Sequence, residues 1–328
     1  MEQRTLGPLG SVSRLALGGG GLGHLWGATT RQECVATLKA AADAGITLID
    51  LAPRYGDGEA ELVLGEAFDG RLPSGVRVTS KCLLGNTPPA EIDSRLRVSI
   101  ADSLARMKLE RLDLFFLHSN VVPDDHPMRA HPEAGTRMTA QSVFAEHVRP
   151  TFERLVDDGL IGAWGLTGIG HPDAIERLLG DHPAPAAVQL LANPLDSAGE
   201  LKFYDGPTRP RTLMRAAKAH GVGVMGIRAV QGGALAAEID RKLPGEHAVV
   251  RDWHRAAGWR AVAAALGEDP ADLAHRYALS LPDVDTVVLG IKNRQELAAA
   301  VAAANRGPLP VDVMTRIDAA TGPSDADR

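Results

Sequence analysis

Short apolar runs that stop at a polar or titratable residue alternate with stretches of helical period along most of this chain. The runs are Leu15–Gly19, Ile46–Asp50, Val76–Ser80, Leu112–Leu117, Ile161–Leu166, Ala187–Leu191, Val222–Ile227 and Thr286–Gly290. Their apolar character is continuous rather than alternating, which marks strands covered on both faces. Between them, Thr30-Arg31-Gln32-Glu33 reads as a capping box opening a helix with Val35, Leu38, Ala41 and Ala42 on its inner face. A second stripe of helical spacing is Ile92, Leu96, Ile100, Leu104 and Met107. Asp269-Pro270-Ala271-Asp272 offers an N-cap followed by proline at the first helical position, and Asn293-Arg294-Gln295-Glu296 resembles another capping box.

Eight such β units with interleaved helices predict an α/β fold, a (β/α)8 TIM barrel, as a single domain over residues 1–328. Residues 1–14 are expected to form an N-terminal β-hairpin under the barrel, and 321–328 a solvated, flexible tail. Two connections, Ser119 to about Gln141 and Ala229 to about Arg255, are too long for simple βα loops. Both follow strands, so both are expected on the C-terminal rim.

Bulk properties narrow the function. A net charge of −6 without a long basic run argues against nucleic acid as a partner. No apolar run approaches the roughly 18 residues of a membrane span, and Met-Glu-Gln-Arg-Thr lacks a signal core, so a cytoplasmic protein without a membrane partner is expected. Cys34 and Cys82 form neither a zinc spacing nor a disulfide framework and read as small buried thiols. His126, His131 and His147 flank a long loop without metal-ligand spacing, and no metal is expected.

The candidate chemistry lies at three strand ends. The runs ending at Asp50, at Ser80-Lys81 and at Leu117-His118 would deliver a carboxylate, an amine and an imidazole to one rim. Tyr55 follows Asp50 on the turn Ala52-Pro53-Arg54-Tyr55-Gly56. A free phenol, with pKa near 10, is a poor acid at neutral pH. A neighbouring ammonium lowers that pKa and makes it a better proton donor. Lys81 would play this part, held by Asp50, while His118 orients a carbonyl. Gly18-Gly19-Gly20-Gly21-Leu22-Gly23 formally matches a dinucleotide fingerprint. That motif needs its helix to begin at the glycines, whereas the capping box places the helix after Thr30. A glycine-rich loop on the substrate side, carrying His24 and Trp26 as candidate pocket walls, is the better reading.

Gly45 through Gly65, with Asp50, Tyr55 and Gly56 at their expected places, resembles the first signature of the aldo-keto reductase superfamily. The likeness continues through Gly162-Ala163-Trp164-Gly165, Gln189 to Asp196 and Val287-Val288-Leu289-Gly290. It implies that Asp50, Tyr55, Lys81 and His118 form a catalytic tetrad, and that an extended nicotinamide dinucleotide binds at the barrel mouth. Thr167 and Gln189 would hold its carboxamide, although Thr167-Gly168 stands where the family has Ser-Asn. Ile227, followed by Arg228, replaces the usual aromatic against the nicotinamide, and Gly232, Gly233 and Leu235 match the pyrophosphate loop.

The resemblance puts the adenosine end at Gly290, Lys292, Asn293, Arg294 and Glu296. Two cations at a helix N-terminus favour a 2′-phosphate and hence NADP, with NAD the alternative suggested by Glu296. The function so implied is NAD(P)H-dependent reduction of a small-molecule aldehyde or ketone, with Tyr55 as general acid. The alternatives are NAD-dependent oxidation of a sugar or alcohol, and a non-catalytic cofactor-binding subunit, to which Thr167-Gly168, Ile227 and Ala299-Ala300 give weight.

Overall fold

The computed structural model describes residues 1–127 and 133–322. Eight parallel strands close into a barrel: β1 Leu15–Gly18, β2 Leu48–Asp50, β3 Arg77–Cys82, β4 Leu114–Leu117, β5 Trp164–Thr167, β6 Ala187–Leu191, β7 Gly223–Ile227 and β8 Thr286–Gly290. Each pairs with its sequence neighbours, and β8 returns to β1 through Leu289↔Leu17 and Gly290↔Gly18. All eight predicted runs are present. Five begin one to three residues later than the apolar pattern does; Leu112 and Ile161 meet only as an isolated bridge, and Ile46, Val76 and Val222 precede their strands.

Helices follow the strands: α1 Arg31–Asp43, α2 Glu59–Phe68, α3 Ile92–Met107, α4 Arg149–Asp157, α5 Pro172–Gly180, α6 Pro210–Ala219, α7 Pro270–Ser280 and α8 Arg294–Asn305. Their starts follow side-chain chemistry. Thr30, Asp269 and Asn293 each accept from a backbone N–H of the first turn. The face of α1 is rotated from the predicted one: Cys34, Thr37, Leu38 and Ala41 are buried, and Val35 and Ala42 sit at its edge.

The barrel interior is a small cluster of Ala16, Leu48, Leu114, Phe116 and Met225, closed from below by Leu6 and Val12. Gln3–Thr5 and Ser11–Ser13 pair antiparallel, forming the hairpin that carries this plug. The larger core lies between strands and helices, where Cys34 and Cys82 are both buried and free.

The rim departs from expectation. The Ser119–Gln141 connection contains a parallel pair, Asn120–Val122 with Met138–Ala140, and its His131 lies outside the described residues. The Ala229–Arg255 connection ends in a helix, Ala248–Arg255. Gly19–Leu22 is a one-turn helix rather than open loop. It wedges between the Tyr55 turn and Ile291, so close that a Cβ on Gly21 would collide with the Ile291 carbonyl. Thr321, expected at the start of a tail, is buried and closes the last helix, Val311–Thr321. Positions 323–328 lie outside the described residues. Among the described residues, no helix is long and apolar enough to cross a membrane.

Candidate active site

Strand register brings the chemistry together. Asp50, the last residue of β2, pairs with Thr79 of β3, and Lys81 follows two residues later on the same inward face. Lys81 Nζ lies 2.8 Å from Asp50 Oδ2 and donates to the Leu51 carbonyl at 2.7 Å. The other Asp50 oxygen accepts from Thr79 Oγ1 and from Gln189 Nε2, each at 2.7 Å. A fully buried ammonium is thus matched by a carboxylate whose second oxygen is also satisfied, which buried charges require.

Tyr55, half-buried at the mouth, places its ring 4.9 Å from Lys81 Nζ. His118, directly after β4, meets the Tyr55 ring edge-on with centroids 6.0 Å apart. The four side chains expected to converge therefore share one mouth.

Electrostatics assign their resting states. Burial pushes the Tyr55 phenol above the ordinary tyrosine range, with the nearby Lys81 charge opposing it. Proximity to the ammonium therefore moderates the shift without reversing it, and Tyr55 carries its proton at neutral pH. Burial alone would lower Lys81, but Asp50 and then Tyr55 outweigh it, so it stays charged. Burial, then the positive charges of Lys81, Arg54 and Arg137, hold His118 well below its ordinary range, leaving a neutral imidazole.

Behind β3 is a support that the linear pattern does not reveal. Glu61 of α2 is completely buried, accepts from Ser80 Oγ at 2.6 Å, and is paired with Arg106 Nε at 2.6 Å. It locks the outward face of the strand that carries Lys81 on its inward face.

The residues expected at a cofactor divide into two groups. Thr167 is buried at the end of β5, and its Oγ1 has no hydrogen-bond partner, an arrangement that suits a missing amide ligand. The neighbouring departure, Gly168, has a steric cause: a Cβ there would lie 2.6 Å from Leu190 Cδ2 and 2.8 Å from Val188 Cγ2. Ile227 ends β7 beside an apolar rim cluster of Val122, Met138, Leu191 and Tyr204. Leu235 is buried, and Gly232 and Gly233 lie in a loop where Arg228 and Gln231 also take positive φ. Such clustering of left-handed residues is backbone held in place by its surroundings.

The others already have protein partners. Gln189, expected to meet a carboxamide, donates to Asp50. Arg228 forms a two-pronged pair with Glu200 at 2.8 and 3.0 Å. Asn293 caps α8, and Glu296 accepts from the Lys292 backbone N–H. Lys292 Nζ is held by Asp240 at 2.9 Å, Glu296 at 3.1 Å and the Trp26 carbonyl at 2.8 Å. Arg294 is engaged by Glu33 through its backbone N–H and guanidinium, at 2.9 to 3.0 Å. That contact draws the Glu33 carboxyl down to about 2. A carboxylate therefore sits where a phosphate was expected.

The two candidate pocket-wall residues make their side-chain contacts away from the four central side chains. His24 is partly exposed, with Nε2 4.0 Å from Glu59 Oε1. Trp26 lies over Gly20 and Gly290, with the Arg241 guanidinium 5.5 Å from its ring. It thus belongs with the adenosine-side positions. Among the described residues, no hydrogen bond or ring contact joins His24 or Trp26 to the four central side chains. Arg137, whose charge acts on His118, stacks 5.3 Å from the Phe203 ring, and Phe203 packs with Tyr204 in an apolar rim cluster.

The model of the Aldo/keto reductase family matches residues 14–321. The chain belongs to this family. Family members use a nicotinamide dinucleotide in carbonyl–alcohol chemistry on small molecules. The aldo-keto reductase YhdN of Bacillus subtilis is 33% identical over 36% of this chain and 38% of its own length. The methylglyoxal reductase YeaE of Escherichia coli is 31% identical over 54% of this chain and 53% of its own. The matched stretch thus spans about half or less of those two relatives. The L-galactose dehydrogenase of Arabidopsis thaliana is 25% identical over 92% of this chain and 88% of its own. Among solved structures, aldo-keto reductase AKR11C1 from Bacillus halodurans superposes with a TM-score of 0.72 at 21% identity. The superposition covers 100% of this chain and 99% of that one, and it carries the fold alone.

Proposed function

We propose that this protein reduces an aldehyde or ketone to an alcohol, with Tyr55 as proton donor and a nicotinamide dinucleotide as hydride source. The observation that carries the reading is the buried Asp50–Lys81 pair with the Tyr55 ring 4.9 Å from the ammonium and His118 across from it. The dinucleotide, when bound, supplies hydride to the carbonyl carbon. Tyr55 delivers its proton to the carbonyl oxygen, and Lys81 stabilises the phenolate left behind. The neutral His118 holds the oxygen in line by hydrogen bonding. Thr167, with an unpartnered hydroxyl, would hold the carboxamide, and Lys292 and Arg294 the adenosine phosphate if NADPH is the donor.

A second reading, NAD-linked oxidation of a sugar, has its own support. Lys292 and Arg294 already face three carboxylates, Asp240, Glu296 and Glu33, and an L-galactose dehydrogenase matches most of the chain. A cofactor-consumption screen over aldehydes, ketones and sugars, run in both directions with both dinucleotides, separates the two. Carbonyl reduction exceeding sugar oxidation at neutral pH is the expected outcome. Exclusive sugar oxidation would replace the first reading with the second.

A further inference from the structure

Arg54 immediately precedes Tyr55 on the turn after β2 and is exposed, and its charge acts on His118. Among the described residues, no carboxylate pairs with it. Residues 128–132, Met-Arg-Ala-His-Pro, contain no acid that could do so. The nearby acids are Asp57 and Glu133. Glu133 is engaged by Arg137, through Nε at 2.9 Å and Nη2 at 2.8 Å. Arg137 itself is stacked on the Phe203 ring.

Arg54, Arg137 and Lys81 all direct positive charge at His118. Most other charges around this rim are matched: Lys81 by Asp50, Arg228 by Glu200, Lys292 by Asp240 and Glu296. Arg54, beside the proton donor in the chain, makes no ion pair among the described residues, and the strongest charge acting on it is that of Arg137, another guanidinium. Like charges held close repel, and a mobile anion relieves that repulsion. Guanidinium is also the side chain best shaped for a two-pronged carboxylate contact.

From this arrangement we propose that Arg54 anchors an anionic group of the substrate, and that the preferred substrates are aldehydes or ketones bearing a carboxylate. This rests on the carbonyl-reductase reading and specifies its substrate class. Apolar contact from Phe203 and Ile227 would take the carbon skeleton between the anchor and the reacting carbonyl.

The test compares 4-carboxybenzaldehyde with 4-formylbenzamide, which share ring and shape but differ in charge. The wild-type enzyme is expected to favour the carboxylated aldehyde in kcat/KM, through KM rather than kcat. Arg54→Met should reduce that preference about tenfold, and Arg54→Glu should invert it. Calorimetric binding of benzoate to the enzyme–NADP complex supplies a readout free of turnover, and Arg54→Met should weaken it by a similar factor. Turnover of the amide with no carboxylate preference, or an unchanged ratio in both variants, overturns the anchor while leaving the reductase reading intact. If neither aldehyde is reduced, the reductase reading is in question and the benzoate measurement alone decides the anchor, unchanged affinity in Arg54→Met refuting it.

Discussion

Lys81 Nζ sits 2.8 Å from Asp50 Oδ2, the ammonium wholly shielded from water and the carboxylate almost so. Removing one partner of a buried pair strands the other, at a cost of about 3–5 kcal/mol. Asp50→Asn and Lys81→Met should each lower stability on that scale in denaturant titration, besides weakening catalysis. The double variant should be less destabilised than the sum of the two, because neither charge is left alone. Strict additivity would mean that the two charges do not interact.

The pH profile follows from the resting states. His118 is held below its ordinary range by burial and by cations, so it stays neutral through the region near 6.5 where a free histidine titrates. Reduction should therefore show no inflection there. Tyr55 is raised, so its acid form persists through neutral and mildly alkaline pH, and reduction declines only when pH passes the raised value. Oxidation needs the phenolate and should climb over that same range. Lys81→Met removes the main charge opposing the rise, so the alkaline limb should move to still higher pH. Steady-state rates in both directions across pH check all three expectations.

Thr167 carries a buried hydroxyl with no partner, a modest cost in the free protein that a bound amide would remove. Thr167→Val should leave the free protein as stable as before, or slightly more so. It should weaken dinucleotide binding by about five- to tenfold. Melting curves with and without cofactor separate the two effects. Equal loss in both conditions would assign the hydroxyl to packing alone.

Glu33 holds Arg294 by three contacts at the head of α8. A 2′-phosphate reaching Arg294 must displace that carboxylate. Glu33→Gln should tighten NADPH by about tenfold and leave NADH nearly unchanged, as read by quenching of tryptophan fluorescence. An unchanged ratio of the two affinities would show that Arg294 does not reach the phosphate.

The barrel and its strand ends were legible because one local rule governs them: a continuous apolar run stops where the chain emerges at the rim. Asp50, Lys81 and His118 each mark such a stop, and parallel register then places them side by side. The rim was not legible, because its partners are distant in sequence. Phe203 is tied to Asn120 through its backbone N–H at 3.3 Å, and Arg137 finds its place only by stacking on that phenylalanine. Glu33 and Arg294 each had a sufficient local explanation, one as a capping-box acid and the other as a cation at a helix start. Nothing near either one in sequence announced that they bind each other. The loop after β1 suggests a substrate-side place for His24 and Trp26, yet Trp26 packs on the Gly290 end of β8.

In the proposed reaction Tyr55 supplies the proton. The most direct measurement is single-turnover hydride transfer to an aldehyde by Tyr55→Phe, with cofactor affinity recorded on the same sample. A fall in the transfer rate of about a hundredfold or more with cofactor affinity unchanged is predicted. Hydride transfer at the wild-type rate would contradict it.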